Sequence, residues 1–260
     1  MRLLKEDENY IEYTFEHNTD YQKIQFAFLD SVESLDHNNI INVLHVYPYH
    51  IDSLIQMSDV SRIHDDTAMA GDLIERALYA IQNSFHPSFN FTKTQANNTK
   101  LIKLDYSRTE NRCFFIALFK HILYIGGKAC YRTSLELCKL LLSLDIHGDP
   151  LASILLLDFY AIKSNQYDYL IDFYTQFNPT KHLNLMPNMS MSTALAYFYK
   201  YKQTNDPSHL ETANKMLEES LIKFPSVLMD LLDKCNVQPD KQVEKHWIFS
   251  KVSHLKLIHF

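Results

Sequence analysis

Between positions 105 and 112 the chain reads Asp-Tyr-Ser-Arg-Thr-Glu-Asn-Arg, a run in which every side chain can make hydrogen bonds. Arg108 and Arg112 carry planar guanidinium forks, which grip carboxylates through two parallel bonds. Tyr106 and Asn111 add a ring face, a hydroxyl and an amide. Two roles fit this run. In one it is a corner that docks a partner or grips a peptide, with Tyr106, Arg108, Asn111 and Arg112 as contact residues. In the other it is the polar entrance of a helix, where the same groups satisfy buried backbone and pin the preceding loop. The second role is favoured. Tyr47, Tyr49 and His50 pose the same alternatives at another junction, with Tyr49 and His50 as partner-binding candidates.

Patterns of known catalytic chemistry are missing from the sequence. The glycines are Gly71, Gly126, Gly127 and Gly148, and none is followed by the Lys-Ser/Thr of a phosphate loop. The same scarcity excludes a dinucleotide-binding fingerprint. Of 13 histidines, His45 with His50, or His64 with Asp65 and Asp66, could share a metal. Nothing in their spacing fixes a tetrahedral ligand set, and ordinary helix-end histidines are the simpler reading. Cys113, Cys130, Cys138 and Cys235 form no Cys-x-x-Cys pair. They sit in apolar helical contexts, where burial raises a thiol's pKa and makes it inert. Asp65-Asp66 reads as a pair of acids favouring a helix N-terminus. The expectation is therefore a non-enzyme with no catalytic, metal-binding or cofactor-binding residues.

The surrounding composition says what must position these groups. Hydrophobic residues make up 46% of the 260, which suits a folded chain. Four glycines are too few for a compact β protein, whose turns need them often. Tyr and Phe, 16 each, point to packing between helices. The net charge of -6 offers no basic stripe for phosphates, so direct DNA binding is not expected. The polar start MRLLKEDENYIEY is no signal peptide, and no apolar run approaches the ~18 residues of a membrane span.

Residues 1–20 read as a loose lead-in, residues 21–237 as a helical domain, and residues 238–260 as an atypical tail. A polar excursion near 87–106 interrupts the helices; loops of that length are often functional. Pro48 ends one helix. Ser107-x-x-Glu110 predicts a capping box before RCFFIALFKHILYI, and Asp149-Pro150 and Asp206-Pro207 each predict a cap followed by proline at the first helical position. The stretch SLELCKLLLSL is apolar nearly all round and predicts a helix buried between neighbours.

Ala70, Leu73, Ile74, Ala77, Leu78 and Ile81 recur at helical spacing and predict one buried face. With Leu54, Met57 and Ser58 before them, they resemble the tetratricopeptide pattern, although Ser61 stands in its Tyr slot. Leu195, Ala196, Tyr199, Ala213, Leu217 and Pro225 give a second match. The predicted fold is all-α, a tetratricopeptide-like helical-repeat solenoid of about five helix pairs.

Several segments then carry a more specific likeness. VYPYHIDSLIQMSDV, LDYSRTENRCFFIALFK, LELCKLLLSLD, DPLASILLLDFYAI, YDYLIDFY, MPNMSMSTALAYF and FPSVLMDLLDKCNV, in this order, resemble the transcription factor 25 family. The resemblance runs from about Tyr10 to about Val237, while VEKHWIFSKVSHLKLIHF does not resemble the family continuation. Long charged N-terminal and further C-terminal portions of the family have no counterpart, so a fragment or truncated form is expected. The resemblance implies a cytosolic, non-catalytic scaffold subunit of the ribosome quality control complex. Its implied partners are the large ribosomal subunit, a listerin-type ubiquitin ligase and a p97-type ATPase, acting in ubiquitin-dependent degradation of nascent chains. The alternative it implies is a nuclear transcriptional repressor scaffold.

Overall fold

The computed structural model describes residues 1–8, 10–89 and 101–245. Among them the chain forms twelve α-helices and one three-stranded sheet, so the all-α expectation holds for the bulk of the fold and misses the sheet. The chain divides into two compact units, residues 1–160 and 161–260, where the sequence offered no boundary.

The first unit begins where a loose lead-in was expected. Strand β1 (Arg2–Glu6) pairs antiparallel with β2 (Tyr10–Thr14), and β2 pairs in parallel with β3 (Leu101–Leu104). The alternation in β3, with Ile102 and Leu104 buried and Leu101 and Lys103 exposed, is that of a half-buried strand. The polar excursion therefore ends in a strand, although its centre, 90–100, lies outside the described residues. Tyr13 is fully buried; its ring meets Phe89 edge-on at 5.1 Å and its hydroxyl lies 3.0 Å from Ser88 Oγ. Phe15 joins Phe85 and Phe114 in an aromatic cluster that fixes the end of β2.

Between β2 and β3 run α1 (Thr19–Glu33), α2 (His37–Val46), α3 (Ile51–Ile63) and α4 (Thr67–Asn83). The α3/α4 hairpin carries the face read from the sequence: Ala70, Leu73, Ile74, Ala77 and Ile81 are buried, and Leu78 is partly so. The buried Ser58 hydroxyl donates to the Ala70 carbonyl at 2.9 Å, a contact that a larger residue at 58 would prevent. Asp66 caps α4 by accepting from Met69 N.

After β3 come α5 (Thr109–Gly127) and α6 (Tyr131–Leu144). The α6 helix is one-sided rather than buried all round: Leu135, Cys138, Leu141 and Leu142 face inward, while Arg132, Glu136 and Ser143 face solvent. Asp149 accepts from the backbone N–H groups of Ser153 and Ile154, so α7 (Ile154–Lys163) starts four residues later than the Asp-Pro signal places it. The division between the units falls inside α7.

The second unit holds α8 (Tyr167–Lys181), α9 (Pro187–Thr204), α10 (Pro207–Lys223), α11 (Pro225–Lys234) and α12 (Lys241–Lys245). Asp206 caps α10 with Pro207 at its first position, as the sequence indicates. Tyr167 stacks on Tyr199 at 5.1 Å, and Ser190 and Ser220 hydroxyls meet across α9 and α10. Of the second repeat match, Ala196 and Ala213 are buried, whereas Leu195 and Leu217 are exposed.

Candidate functional site

The polar run 105–112 forms the turn that carries β3 into α5, and Asn111 is its anchor. The side chain has no exposed surface. Its Nδ2 donates to the Asp105 carbonyl at 2.8 Å, and its Oδ1 accepts from Phe15 N at 2.8 Å and Thr14 Oγ1 at 3.2 Å. One amide thus satisfies buried backbone just past the end of β2 and on the turn, two segments almost a hundred residues apart in sequence.

The predicted capping box is displaced. The N-cap position falls on Arg108, which makes no side-chain cap bond, and Ser107 instead closes a local turn by donating from its backbone and hydroxyl to the Asp105 carboxylate. These bonds hold the Asp105 carboxyl below its usual pKa. Hydrogen bonds, its own backbone first, do the same for Glu110 in the first turn of α5. Arg112 reaches back to the turn: Nε donates to the Tyr106 carbonyl and an Nη to the Ser107 carbonyl, both at 3.2 Å. Its guanidinium lies over the Tyr106 ring, whose other neighbour is the buried Phe115, edge-on at 5.3 Å. Arg108, by contrast, is exposed, and among the described residues only its backbone makes hydrogen bonds, to the Asp105 carbonyl and from Asn111 N. The turn therefore separates two kinds of residue: Asn111 and Arg112 hold it, and Arg108 and the half-buried Tyr106 are presented by it.

Tyr49 and His50 divide in the same way at the entrance to α3. His50 is 2% exposed. It is the N-cap of α3, its Nδ1 lying 2.7 Å from Ser53 Oγ and its Nε2 3.0 Å from Gln25 Oε1. Gln25 in turn donates to the Asp52 carboxylate at 2.8 Å. The neutral ring with its proton on Nε2 satisfies every member of this chain. Desolvation by burial pushes the His50 pKa down to about 4. Tyr49, 54% exposed, stands outside that network with its ring 6.2 Å from Tyr79.

A cavity of about 350 Å³ lies near these elements, lined by Phe15, His17, Tyr21, Ile51, Glu110 and Cys113 among others. Half of this lining comes from residues 15–21, where the sequence showed only the end of the lead-in and the start of a helix. Burial pushes the Cys113 and Cys138 thiols up to about 12 each, which removes the thiolate a nucleophile needs. Among the described residues no group of three or more His, Cys, Asp or Glu side chains is placed to hold a metal, and no helix is long and apolar enough to cross a membrane.

The geometry is that of braced helix entrances displaying single side chains, and comparison with known proteins supplies the context. The family profile described as Transcriptional repressor TCF25 matches residues 13–257. The chain belongs to this family. The match continues through most of 238–260, so the expectation that this segment departs from the family is corrected. A mouse protein named Ribosome quality control complex subunit TCF25 is 41% identical over 96% of this chain and 37% of its own length. Ribosome quality control complex subunit 1 of Schizosaccharomyces pombe is 32% identical over 84% of this chain and 31% of its own length. A protein of Ampulloclitocybe clavipes named Probable transcription factor claV is 31% identical over 90% of this chain and 30% of its own length. The chain thus spans about a third of the length of these relatives. No solved structure matches it.

Proposed function

We propose that the chain serves as a non-catalytic scaffold of the ribosome quality control complex in the cytosol. There it helps ubiquitin-dependent degradation of nascent chains on stalled large ribosomal subunits, beside a listerin-type ubiquitin ligase and a p97-type ATPase. The single observation that carries this reading is the 41% identity, along 96% of the chain, to a relative named as a subunit of that complex. The physical character of the molecule agrees with it. Its two deeply buried thiols are held protonated, and the polar side chains of the β3–α5 turn are spent on bracing backbone rather than on converging around a reacting centre.

The hairpins α3/α4 and α9/α10 serve in this reading as tetratricopeptide-like units, which build extended binding surfaces by repetition. Support comes from the close approach of Ser58 to Ala70 and the Asp206-Pro207 cap. Within the first unit Tyr106, Arg108 and Tyr49 are the residues proposed to touch a partner. Asn111, Arg112 and His50 hold them in place. The combined Arg108→Glu and Tyr49→Ala variant is expected to leave the thermal midpoint unchanged. On sucrose gradients from cells with stalled ribosomes, it should shift the chain from the large-subunit fraction to the top. Co-sedimentation equal to that of the unaltered chain would rule these residues out as contacts.

A second reading, a nuclear repressor scaffold, draws on the family description and on the name of the claV relative. It predicts nuclear accumulation and recovery with promoter DNA, and absence from the large-subunit fraction.

A further inference from the structure

Helix α5 is apolar on two opposite faces. Its inner face, Phe114, Ala117, Leu118 and Ile122, is buried. On the opposite side Ile116, Phe119 and Leu123 recur at i, i+3 and i+7, and the first two are only half-buried while Leu123 is 42% exposed. An amphipathic helix that packs on one side should carry polar residues here, so this second stripe calls for a cover.

The stripe floors a cavity of about 390 Å³ between the outer face of α5, the end of α3 and Leu151. That volume falls within the roughly 300–1,000 Å³ of ordinary ligand pockets. Two cations, Arg62 and Lys120, are part of the lining, and among the described residues no carboxylate is. One acid, Asp59, serves both: it pairs with Lys120 and lies 3.9 Å from Arg62. Two positive charges against one negative leave a net positive rim on an apolar floor, in a chain whose net charge is -6. A basic or neutral segment would gain nothing from that rim, whereas an acidic one would be steered to it and paired on arrival.

We propose that this α3–α5 groove docks a short segment of another protein that combines Leu or Phe side chains with flanking Asp or Glu. The apolar side chains cover Ile116, Phe119 and Leu123, and the carboxylates meet Arg62 and Lys120. The inference concerns binding by this chain alone and stands whether or not the proposed assembly is the one that uses it.

The test is fluorescence anisotropy with the full 260-residue chain. The probes are a panel of labelled peptides bearing Leu and Phe at several spacings among Asp and Glu, each with a twin in which Lys replaces every acid. Acidic peptides are expected to bind saturably and their basic twins to bind at least about tenfold more weakly. Leu123→Asp and Arg62→Glu, both at exposed positions, should each weaken binding about tenfold without moving the thermal midpoint. The proposal is overturned by no saturable binding of any acidic peptide, by equal binding of the basic twins, or by affinity unchanged in both variants. Sedimentation showing a dimer of the chain that Leu123→Asp dissolves also overturns it, because the occupant would then be a second copy.

Discussion

Asn111 ties the chain just past β2 to the β3–α5 turn through one amide, and its replacement is the sharpest test at the scale of single residues. Asn111→Leu keeps the branched shape of the side chain, leaves the Phe15 N–H without its partner in a buried setting, and removes the donor to the Asp105 carbonyl. We expect a loss of about 3 kcal/mol, read as a lowered urea midpoint at unchanged slope; a loss within error would mean that the turn is braced elsewhere. His50 adds a pH dependence. Its folded pKa of about 4 lies below the ordinary value of 6.5, so the unfolded chain takes up the proton more readily. The stabilising contribution is complete above pH 6.5 and is lost as pH falls towards 4, to the extent of roughly 2 kcal/mol after discounting for solvent screening. His50→Asn keeps a capping side chain and should flatten the stability profile across that window. An identical slope in the variant would assign the effect to other groups, such as His17 or His121, whose pKa values burial also lowers. Sequence alone places Asn111 and His50 at the right junctions and offers bracing as one of their two roles, but it does not name the groups they brace. Their partners, Phe15 and Gln25, lie on elements that no local pattern connects to them.

At the scale of elements, the helices were legible because their signals are local. The spacing of Ala70 to Ile81 is the buried face of α4, and Asp206-Pro207 opens α10. The sheet was not, because β2 finds its parallel partner β3 only after four helices have intervened, and only Leu101–Leu104 betrays it by alternation. The capping box failed because Ser107 spends its hydroxyl on Asp105. Helix ends were also hidden by the scarcity of glycine. The positive-φ positions among the described residues include Leu35, Ala129, Ala152 and His182, and none is glycine. Leu35 closes α1 at φ 55° with 94% of its surface exposed, so its side chain returns nothing for the strained backbone. Leu35→Gly is accordingly expected to stabilise by about 0.5–1 kcal/mol, after subtracting glycine's larger entropy loss on folding. Differential scanning calorimetry should show a rise in the midpoint; a fall would show that the α1–α2 turn does not need the left-handed conformation.

At the scale of the whole molecule, the chain belongs to a family whose members named as ribosome quality control subunits are about three times as long. Fold alone says little about function, because helical proteins of similar architecture differ in their surfaces. The surfaces are where this chain is specific: a braced corner presenting Tyr106 and Arg108, an exposed Tyr49, and an apolar groove with a basic rim. The most direct measurement is affinity purification of the tagged chain from cells with stalled ribosomes, followed by quantitative proteomics and run in parallel with a full-length relative. Enrichment of large-subunit ribosomal proteins together with the listerin-type ligase and the p97-type ATPase is the expected outcome of the proposed role. Recovery of all three by the full-length relative and of none by this chain would contradict it.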